Sequence, residues 1–416
     1  MKHQAFSYQT KQELLADFSK KGTPLGFSDD FSILALPLNQ NNITIKNRLL
    51  SQPIEGFDAE SDGTPTHRSV ARYQTLAENG FGTLWFESIS VSDSGRSNLH
   101  QLWITDNNLE YFSDMLHHIR ASAGTSVPYL VAQLTHSGRY SYQTPVCGFE
   151  NPHIEKAGAH IITDDELAAL EAEYVHAALL AKKAGFDAVD IRACHGYLIN
   201  EMFAAYHRPG CYGGSFENRM RLLLNIVRKV RDSCDITIAV RLNLYDGLPY
   251  PFGWGVRAEN GTTVPDLHEP MMLVDQLCSL GVKILNISSG IGAVSPYVLR
   301  PYDRGGMPCP EHPLEGVYRM VNMSHHVKAA HPECIVVASA LSWLREFAPM
   351  VAASEIQNGW YDLAGFGRQA ICYPEFAHEI LHGNIPDRDR CCTTCCGCTN
   401  LIKKSGSRLR CIRKSE

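Results

Sequence analysis

Six of the chain's 14 cysteines fall within its last 26 residues, at positions 391, 392, 395, 396, 398 and 411, while the other eight are scattered singly. Thiolates are soft ligands, and several of them in one short segment can fold that segment around a metal. An extracellular disulfide framework would spread its cysteines through the fold, so this clustering points to metal. Further upstream, polar residues stand directly after short apolar runs. They are Gln52-Pro53-Ile54-Glu55, Glu87, Gln133 with His136 and Arg139, Arg192 with His195 and Tyr197, Arg241, Ser289-Gly290, Ser339-Ala340 and Gly367-Arg368. Guanidinium groups and backbone amides of these types can hold an anion, and His or Tyr can donate a proton. Each residue alone reads equally well as a structural hydrogen bonder, so its chemistry depends on whether the fold brings the set together.

The apolar runs that precede these residues are rich in β-branched and aromatic side chains, and they read as strands. They cover Arg48–Pro53, Gly82–Ser88, Val127–Leu134, Ala188–Arg192, Ile236–Leu242, Val282–Ser288, Cys334–Ala338 and Tyr361–Gly365. Amphipathic helical patterns lie between them at Arg68–Glu78, Leu109–Ala121, Asp164–Ala184, Glu217–Ser233, Pro270–Leu280, Val317–Ala330 and Leu344–Ile356. The third is bounded most clearly: Thr163 can cap it, Asp164, Asp165 and Glu166 complement its N-terminal dipole, and Gly185 ends it. Eight strands alternating with helices predict an α/β fold, a (β/α)8 TIM barrel spanning residues 31–384. Doubly wound sheets share this alternation, but no G-x-G-x-x-G follows any of the strands. Residues 1–30 read as an N-terminal extension and residues 385–416 as a metal-folded appendage. In such barrels the site lies at the C-terminal strand ends, which is where the polar residues above stand. The loops after strands seven and eight commonly hold a phosphate there.

With 44% hydrophobic residues and a net charge of −6, the chain can bury a large core and has no global basic field to collect nucleic acid. A local cluster of Lys403, Lys404, Arg408, Arg410, Arg413 and Lys414 reads either as a solvated tail or as a docking patch for an acidic electron-transfer protein. The polar start, Met1 to Gln12, lacks the apolar core of a signal peptide, and no apolar run approaches 18 residues. A cytoplasmic, homo-oligomeric enzyme with a small-molecule substrate, and with no membrane or nucleic-acid partner, is the expectation.

The stretch Asp190–Arg221, DIRACHGYLINEMFAAYHRPGCYGGSFENRMR, resembles the signature of old yellow enzyme-like flavoproteins. It is most similar to the iron–sulfur branch typified by 2,4-dienoyl-CoA reductase and trimethylamine dehydrogenase. Further matches are Asn47–Pro53, Asp62–Thr66, Ala132–Arg139 and Gly365–Phe376, so the similarity runs from about residue 30 to the end. The resemblance implies an FMN barrel. Gln133 would meet the flavin pyrimidine edge, and Arg241 would face the N1–C2 carbonyl side, where a cation stabilises the anionic reduced flavin. Pro53 and Ile54 would line the isoalloxazine, while Ser339, Ala340, Gly367 and Arg368 would hold the phosphate. Glu55, Glu87, Ser289 and Gly290 complete the expected cofactor-side set by position. Tyr197 falls on the family's proton donor, and His195, with Arg192 beside it, falls on the group that binds the substrate's electron-withdrawing oxygen. In the tail, Cys392, Cys395, Cys398 and Cys411 give C-x2-C-x2-C-x12-C. This resembles the trimethylamine dehydrogenase loop whose four thiolates hold a 4Fe-4S cluster. Zinc suits four cysteines as well.

Several residues depart from the family pattern. Between Phe203 and Tyr212 the chain is about three residues shorter than the family norm. Glu55 replaces a Cys or Thr, and a carboxylate there is expected to disfavour negative charge on the reduced flavin. Ser288–Val294 offers no counterpart of the dienoyl-CoA reductase histidine. The sequence ends five residues after Cys411, where large relatives continue into FAD- and NAD(P)H-binding domains. The donor could then be NAD(P)H, reduced ferredoxin or flavodoxin. The expected reaction is reduction of an electron-poor C=C bond in an enoate, enone, enoyl thioester or steroid-like ring. The alternatives are amine or N-methyl dehydrogenation with electrons leaving through the cluster, or an electron-transfer subunit of a larger complex.

Overall fold

A computed structural model describes residues 4–154, 158–305, 307–402 and 408–414; Lys403 and Lys404 of the basic tail lie outside them. Eight parallel strands close into a barrel in chain order: β1 (Leu49–Ser51), β2 (Thr83–Ser90), β3 (Tyr129–Thr135), β4 (Ala188–Ile191), β5 (Thr237–Asn243), β6 (Ile284–Ser288), β7 (Ile335–Ala338) and β8 (Leu363–Phe366). Closure runs through Ala364 opposite Leu49, Gly365 opposite Leu50 and Phe366 opposite Ser51. Helices cover the outer face of the barrel and side chains fill its inside, so both faces of the strands are shielded from water and they read as continuous apolar runs.

Inside the barrel, Leu50, Trp85, Val131, Ala188, Ala239, Ile284, Ile335, Val337 and Leu363 pack as one cluster. A short antiparallel hairpin, Leu38–Gln40 with Ile43–Ile45, closes the bottom by adding Leu38, Ile43 and Ile45 to that cluster. The main core lies between the strands and the surrounding helices, α1 (His67–Glu78), α2 (Leu109–Ser122), α3 (Asp164–Ala184), α4 (Phe216–Ser233), α5 (His268–Ser279), α6 (Pro313–Ala330) and α7 (Ala348–Gln357). Helix α3 has the capping box of Thr163 with Glu166, and Gly185 closes it at φ 104°. The seventh helical stretch differs from its expected Leu344 start. A 3-10 segment covers Leu341–Phe347, Arg345 adopts φ 52°, and α7 begins only at Ala348. Pro349 explains the break, because a residue without an N–H is tolerated only in a helix's first turn.

Both chain ends are fastened to the barrel. Near the N-terminus, Phe6 packs edge-on against Trp343 at 5.2 Å, and its N–H donates to Asp303 Oδ1 at 3.0 Å. The helix Lys11–Lys21 follows, capped by Thr10 and Glu13, with Leu14 and Phe18 buried in the main core. In the tail, Cys392 N–H donates to Gln369 Oε1 at 2.9 Å and Asp303 N–H donates to Thr394 Oγ1 at 3.1 Å. No helix among the described residues is long and apolar enough to cross a membrane.

Candidate active site

A cavity of about 370 Å³ opens at the C-terminal ends of the strands. The ends of β1, β3, β4, β5, β7 and β8 all contribute to its wall, through Gln52–Glu55, Gln133, Arg192 with His195 and Tyr197, Arg241, Ser339 with Ala340, and Gly367 with Arg368. Three of the expected residues stand elsewhere. Glu87 ends in a buried pair with Arg72 at 2.5 Å and accepts the Gly56 N–H at 2.6 Å, so its carboxylate faces α1. Ser289 donates to Val298 O at 3.0 Å, and the Gly290 carbonyl accepts from Asn243 Nδ2 at 3.0 Å. These two shape the loop after β6, which lines the cavity through Gly292, Ala293, Leu299 and Arg300 instead. Of the other polar residues at the end of β3, His136 accepts the Gly138 N–H through Nδ1, and Arg139 pairs with Glu201, so both are structural.

The sequence reading missed the groups that orient the lining residues. Asp190, fully buried on β4, accepts from Gln133 Nε2 at 2.7 Å, Trp85 Nε1 at 2.8 Å and Arg241 N at 2.6 Å. Gln133 is thereby fixed with its Oε1 toward Ser88 Oγ, 3.1 Å away. On the opposite wall, Gln52 donates to Ser339 Oγ at 2.8 Å and exchanges hydrogen bonds with Asn286. Only glycine fits at 365, since a Cβ there would lie 2.1 Å from Gln52 Nε2. Beyond β5, Asp246 holds Asn243 at 2.8 Å and Asn200 at 3.3 Å, and Asn200 accepts the Gly196 N–H at 2.6 Å. That chain of bonds fixes the turn carrying His195, whose backbone is left-handed at φ 66°.

Arg192 spans the cavity floor. Its guanidinium pairs with Glu55 at 3.0 Å and lies 3.6 Å above the centre of the Tyr197 ring. Burial pushes the Tyr197 pKa above its ordinary value, although Arg192 draws it back, so the phenol keeps its proton. His195 is pushed well below the usual imidazole range, first by burial and then by Arg241, Arg192 and Arg300. A neutral ring beside an obligate donor accepts at Nδ1, 3.5 Å from Arg192 Nη2, which leaves Nε2 to donate to Ser288 Oγ at 2.7 Å.

The cavity carries an excess of positive charge. Arg192, Arg241, Arg300 and Arg368 line it against one carboxylate, Glu55. Buried nitrogens of all four stay without an acceptor: Nε of Arg192, Arg241 and Arg300, and Nη1 of Arg368. Burial lowers the pKa of both Arg241 and Arg300, and Arg368 lowers that of Arg300 further. Buried guanidinium nitrogens without an acceptor are costly unless an anion completes them. Arg300 and Arg368 converge beside Ser339, Gly367 and Ala340, the last at φ 72°, at the ends of β7 and β8. This suits a phosphate. Arg241, with Gln133 nearby, suits the carbonyl edge of a planar polar ring.

Directly behind Arg368 is a second, smaller pocket lined by Cys372, Cys392, Cys395, Cys396, Cys398 and Cys411. Cys372 was not expected there; its Sγ lies 3.4 Å from that of Cys411. The short helix Gly397–Ile402 joins the two spaces, with Thr399 and Ile402 facing the cavity and Cys398 facing the thiol pocket.

The chain is similar along most of its length to known flavoproteins. Residues 34–250 match the model of the NADH:flavin oxidoreductase / NADH oxidase family. The NADH oxidase of Thermoanaerobacter brockii is 26% identical over 392 residues, which is 89% of this chain and 54% of that protein. Among solved structures, a 2-naphthoyl-CoA reductase complex superposes with TM-score 0.73 at 18% identity over 89% of this chain and 54% of that one. Histamine dehydrogenase from Rhizobium sp. 4-9 superposes with TM-score 0.70 at 19% identity over 92% and 52%. The chain thus spans about half the length of these proteins. It belongs to the NADH:flavin oxidoreductase / NADH oxidase family and is built on a (β/α)8 barrel.

Proposed function

We propose that this enzyme reduces an electron-poor C=C bond, with Tyr197 as the proton donor and Arg192 and His195 as the anchor for the conjugated oxygen. The observation that carries this reading is the Tyr197 phenol held beneath Arg192 in the same cavity as the residues that suit FMN. The buried guanidinium donors left without acceptors fit FMN. Arg300 and Arg368, with Ser339, Ala340 and Gly367, would hold its phosphate, and Arg241 and Gln133 its pyrimidine edge. Pro53 and Ile54 would line the ring. Bound FMN would supply hydride at N5 to the β-carbon. Arg192 and His195 Nε2 are donors, so they can bind a carbonyl, thioester or carboxylate oxygen, and Tyr197 can deliver its proton to the α-carbon. Glu55 is paired with Arg192, and this pair sets the charge of the substrate side. The four tail cysteines, Cys392, Cys395, Cys398 and Cys411, would hold a 4Fe-4S cluster that passes electrons to or from FMN.

The test is anaerobic. The flavin is reduced with NADH, NADPH, and reduced ferredoxin or flavodoxin in turn, then mixed with an enone, an enoate or an enoyl thioester. Reoxidation with appearance of the saturated product supports the reading. Reoxidation by none of these, together with flavin reduction by an amine, would replace it with the dehydrogenase reading that the histamine dehydrogenase likeness suggests. The pH profile of the alkene step is a second expected result. His195 titrates well below its usual range and Tyr197 above its own, so the rate should stay flat from about pH 6 to 9. It should fall only as Tyr197 loses its proton above pH 10. Arg241→Met should purify with much less FMN and give a lower flavin reduction potential, because the anionic reduced ring loses its cation. FMN titration and potentiometry read both effects.

A further inference from the structure

On the opposite face of the barrel, four metal-ligating side chains converge where α5 and α6 end and β7 begins. Cys278 lies in the last turn of α5, His331 caps α6 at its C-terminus, and Glu333 and Cys334 lead into β7. Ligand atoms of Cys278, His331 and Glu333 all lie within 4.8 Å of one another. Cys278 Sγ is 3.0 Å from Cys334 Sγ, His331 Nδ1 is 3.0 Å from Glu333 Oε1, and Cys334 Sγ is 4.0 Å from the same oxygen. Bonds of about 2.3 Å to sulfur and 2.0–2.2 Å to nitrogen or oxygen place the ligands of a tetrahedral zinc about 3.3–3.8 Å apart. The separations of 3.0, 3.0 and 4.0 Å fall on either side of that range, and Cys334, which stands outside the mutual 4.8 Å set, would join the ion from its contacts with Cys278 and Glu333.

From this geometry we infer that Cys278, Cys334, His331 and Glu333 form a zinc site, distinct from the tail cysteines and from the FMN cavity. Two features support it. His331 Nε2 sits 2.7 Å from Asp275 Oδ1, so a carboxylate fixes the ring with Nδ1 toward the other ligands, the arrangement that orients zinc-bound imidazoles. The ligand loop is also held in place independently of any metal. Gln40 Nε2 from the bottom hairpin donates to Pro332 O at 3.1 Å and Glu333 O at 2.6 Å, and Lys328 Nζ donates to Pro332 O at 2.8 Å and Cys334 O at 2.9 Å. Lys328 is itself paired with Asp362 at 2.8 Å, so its charge is taken up rather than set against the ion. Two thiols, one imidazole and one carboxylate select zinc over harder cations. Binding releases the two thiol protons and leaves both sulfurs reduced. The N-terminal face of a barrel serves stability, so the ion would clip the end of α5 to the end of α6.

The test uses the full chain, purified anaerobically with its flavin and iron in place, given zinc chloride and then desalted. Wild type should retain about one more zinc per chain than a Cys278→Ser/Cys334→Ser double variant of equal iron and flavin content. His331→Gln, a change on the surface side of the site, should lose the same zinc. Cobalt in place of zinc should give the thiolate charge-transfer and tetrahedral d–d bands in wild type only. Zinc should also shield Cys278 and Cys334 from alkylation, which can be read in wild type alone if the double variant does not fold. Equal zinc in all three proteins, or no shielding, would overturn the site. So would the mass loss of two hydrogens from a Cys278–Cys334 disulfide in protein isolated under reducing conditions.

Discussion

Tyr197→Phe is expected to accept electrons into FMN at the wild-type rate and to lose about 10²–10⁴-fold in the rate at which an electron-poor alkene reoxidises the enzyme. On the proposed reading the two half-reactions use different parts of the cavity. Flavin reduction would depend on Gln133, Arg241 and the phosphate end, none of which is altered. The alkene step requires a proton, and Tyr197 is the buried phenol that burial keeps protonated beside Arg192. Removing the hydroxyl leaves the ring, so its stacking under the Arg192 guanidinium and its contact with Tyr140 at 5.6 Å persist. The backbone it occupies is extended, at φ −73° and ψ 166°, which Phe adopts as readily. A folded, fully flavinated variant is therefore expected. Equal slowing of both half-reactions would mark the residue as structural. An unchanged alkene rate would remove Tyr197 from the mechanism, and the alkene-reduction reading would then rest on His195 as the acid. That is a poor position for it, since a neutral imidazole can hydrogen-bond an oxygen through Nε2 but gives up that proton less readily than a phenol does.

The barrel was legible in the sequence because parallel strands buried on both faces leave continuous apolar runs. Each expected strand overlaps an observed one, and the bounds of α3 coincide because Thr163, Glu166 and Gly185 are local signals. What escaped is non-local or very short. The bottom hairpin has strands of three residues each, too brief for a period to show. Its turn was nevertheless written in the sequence as Asn41-Asn42, both left-handed at φ 55° and 62°, the residue type that tolerates this conformation. Asp190 reads as one polar residue within a strand, and nothing near it in sequence shows that it gathers Trp85, Gln133 and Arg241. Glu87 was expected at the end of its strand, yet β2 runs on to Ser90, and its partner Arg72 comes from a helix whose packing angle no sequence pattern states. Arg300 is the reverse case. It follows a loop with no regular pattern, and only the fold brings it to Arg368.

Cys411→Ala should purify without iron, while Cys396→Ala, Cys391→Ala and Cys372→Ala should each keep about four irons per chain. The proposed ligands are Cys392, Cys395, Cys398 and Cys411, and the packing of the neighbouring thiols distinguishes them to different degrees. Cys391 is fully buried in the main core, with Gln369 and Glu346 as neighbours, and is absent from the thiol pocket. Cys396 borders the thiol pocket but turns back at φ 57° and packs with Tyr302 and Cys309. Cys372 is the demanding case, because it touches Cys411 at 3.4 Å and also bonds to Cys392. Those bonds pull Cys392 and Cys411 toward thiolate and push Cys372 the other way, so the single S–H of Cys372 can donate to one ligand sulfur at a time. Its removal should therefore shift the cluster's reduction potential downward without releasing iron, since a hydrogen bond to a ligand sulfur stabilises the more negative reduced state. Arg368 lines both this pocket and the larger cavity, so on the proposed reading the cluster would lie one side chain away from the flavin's phosphate end. Loss of iron from Cys372→Ala with retention in Cys411→Ala would exchange the two roles. Zinc in place of iron in wild type would leave the tail as a structural clip, and electrons would then have to reach FMN through the open cavity.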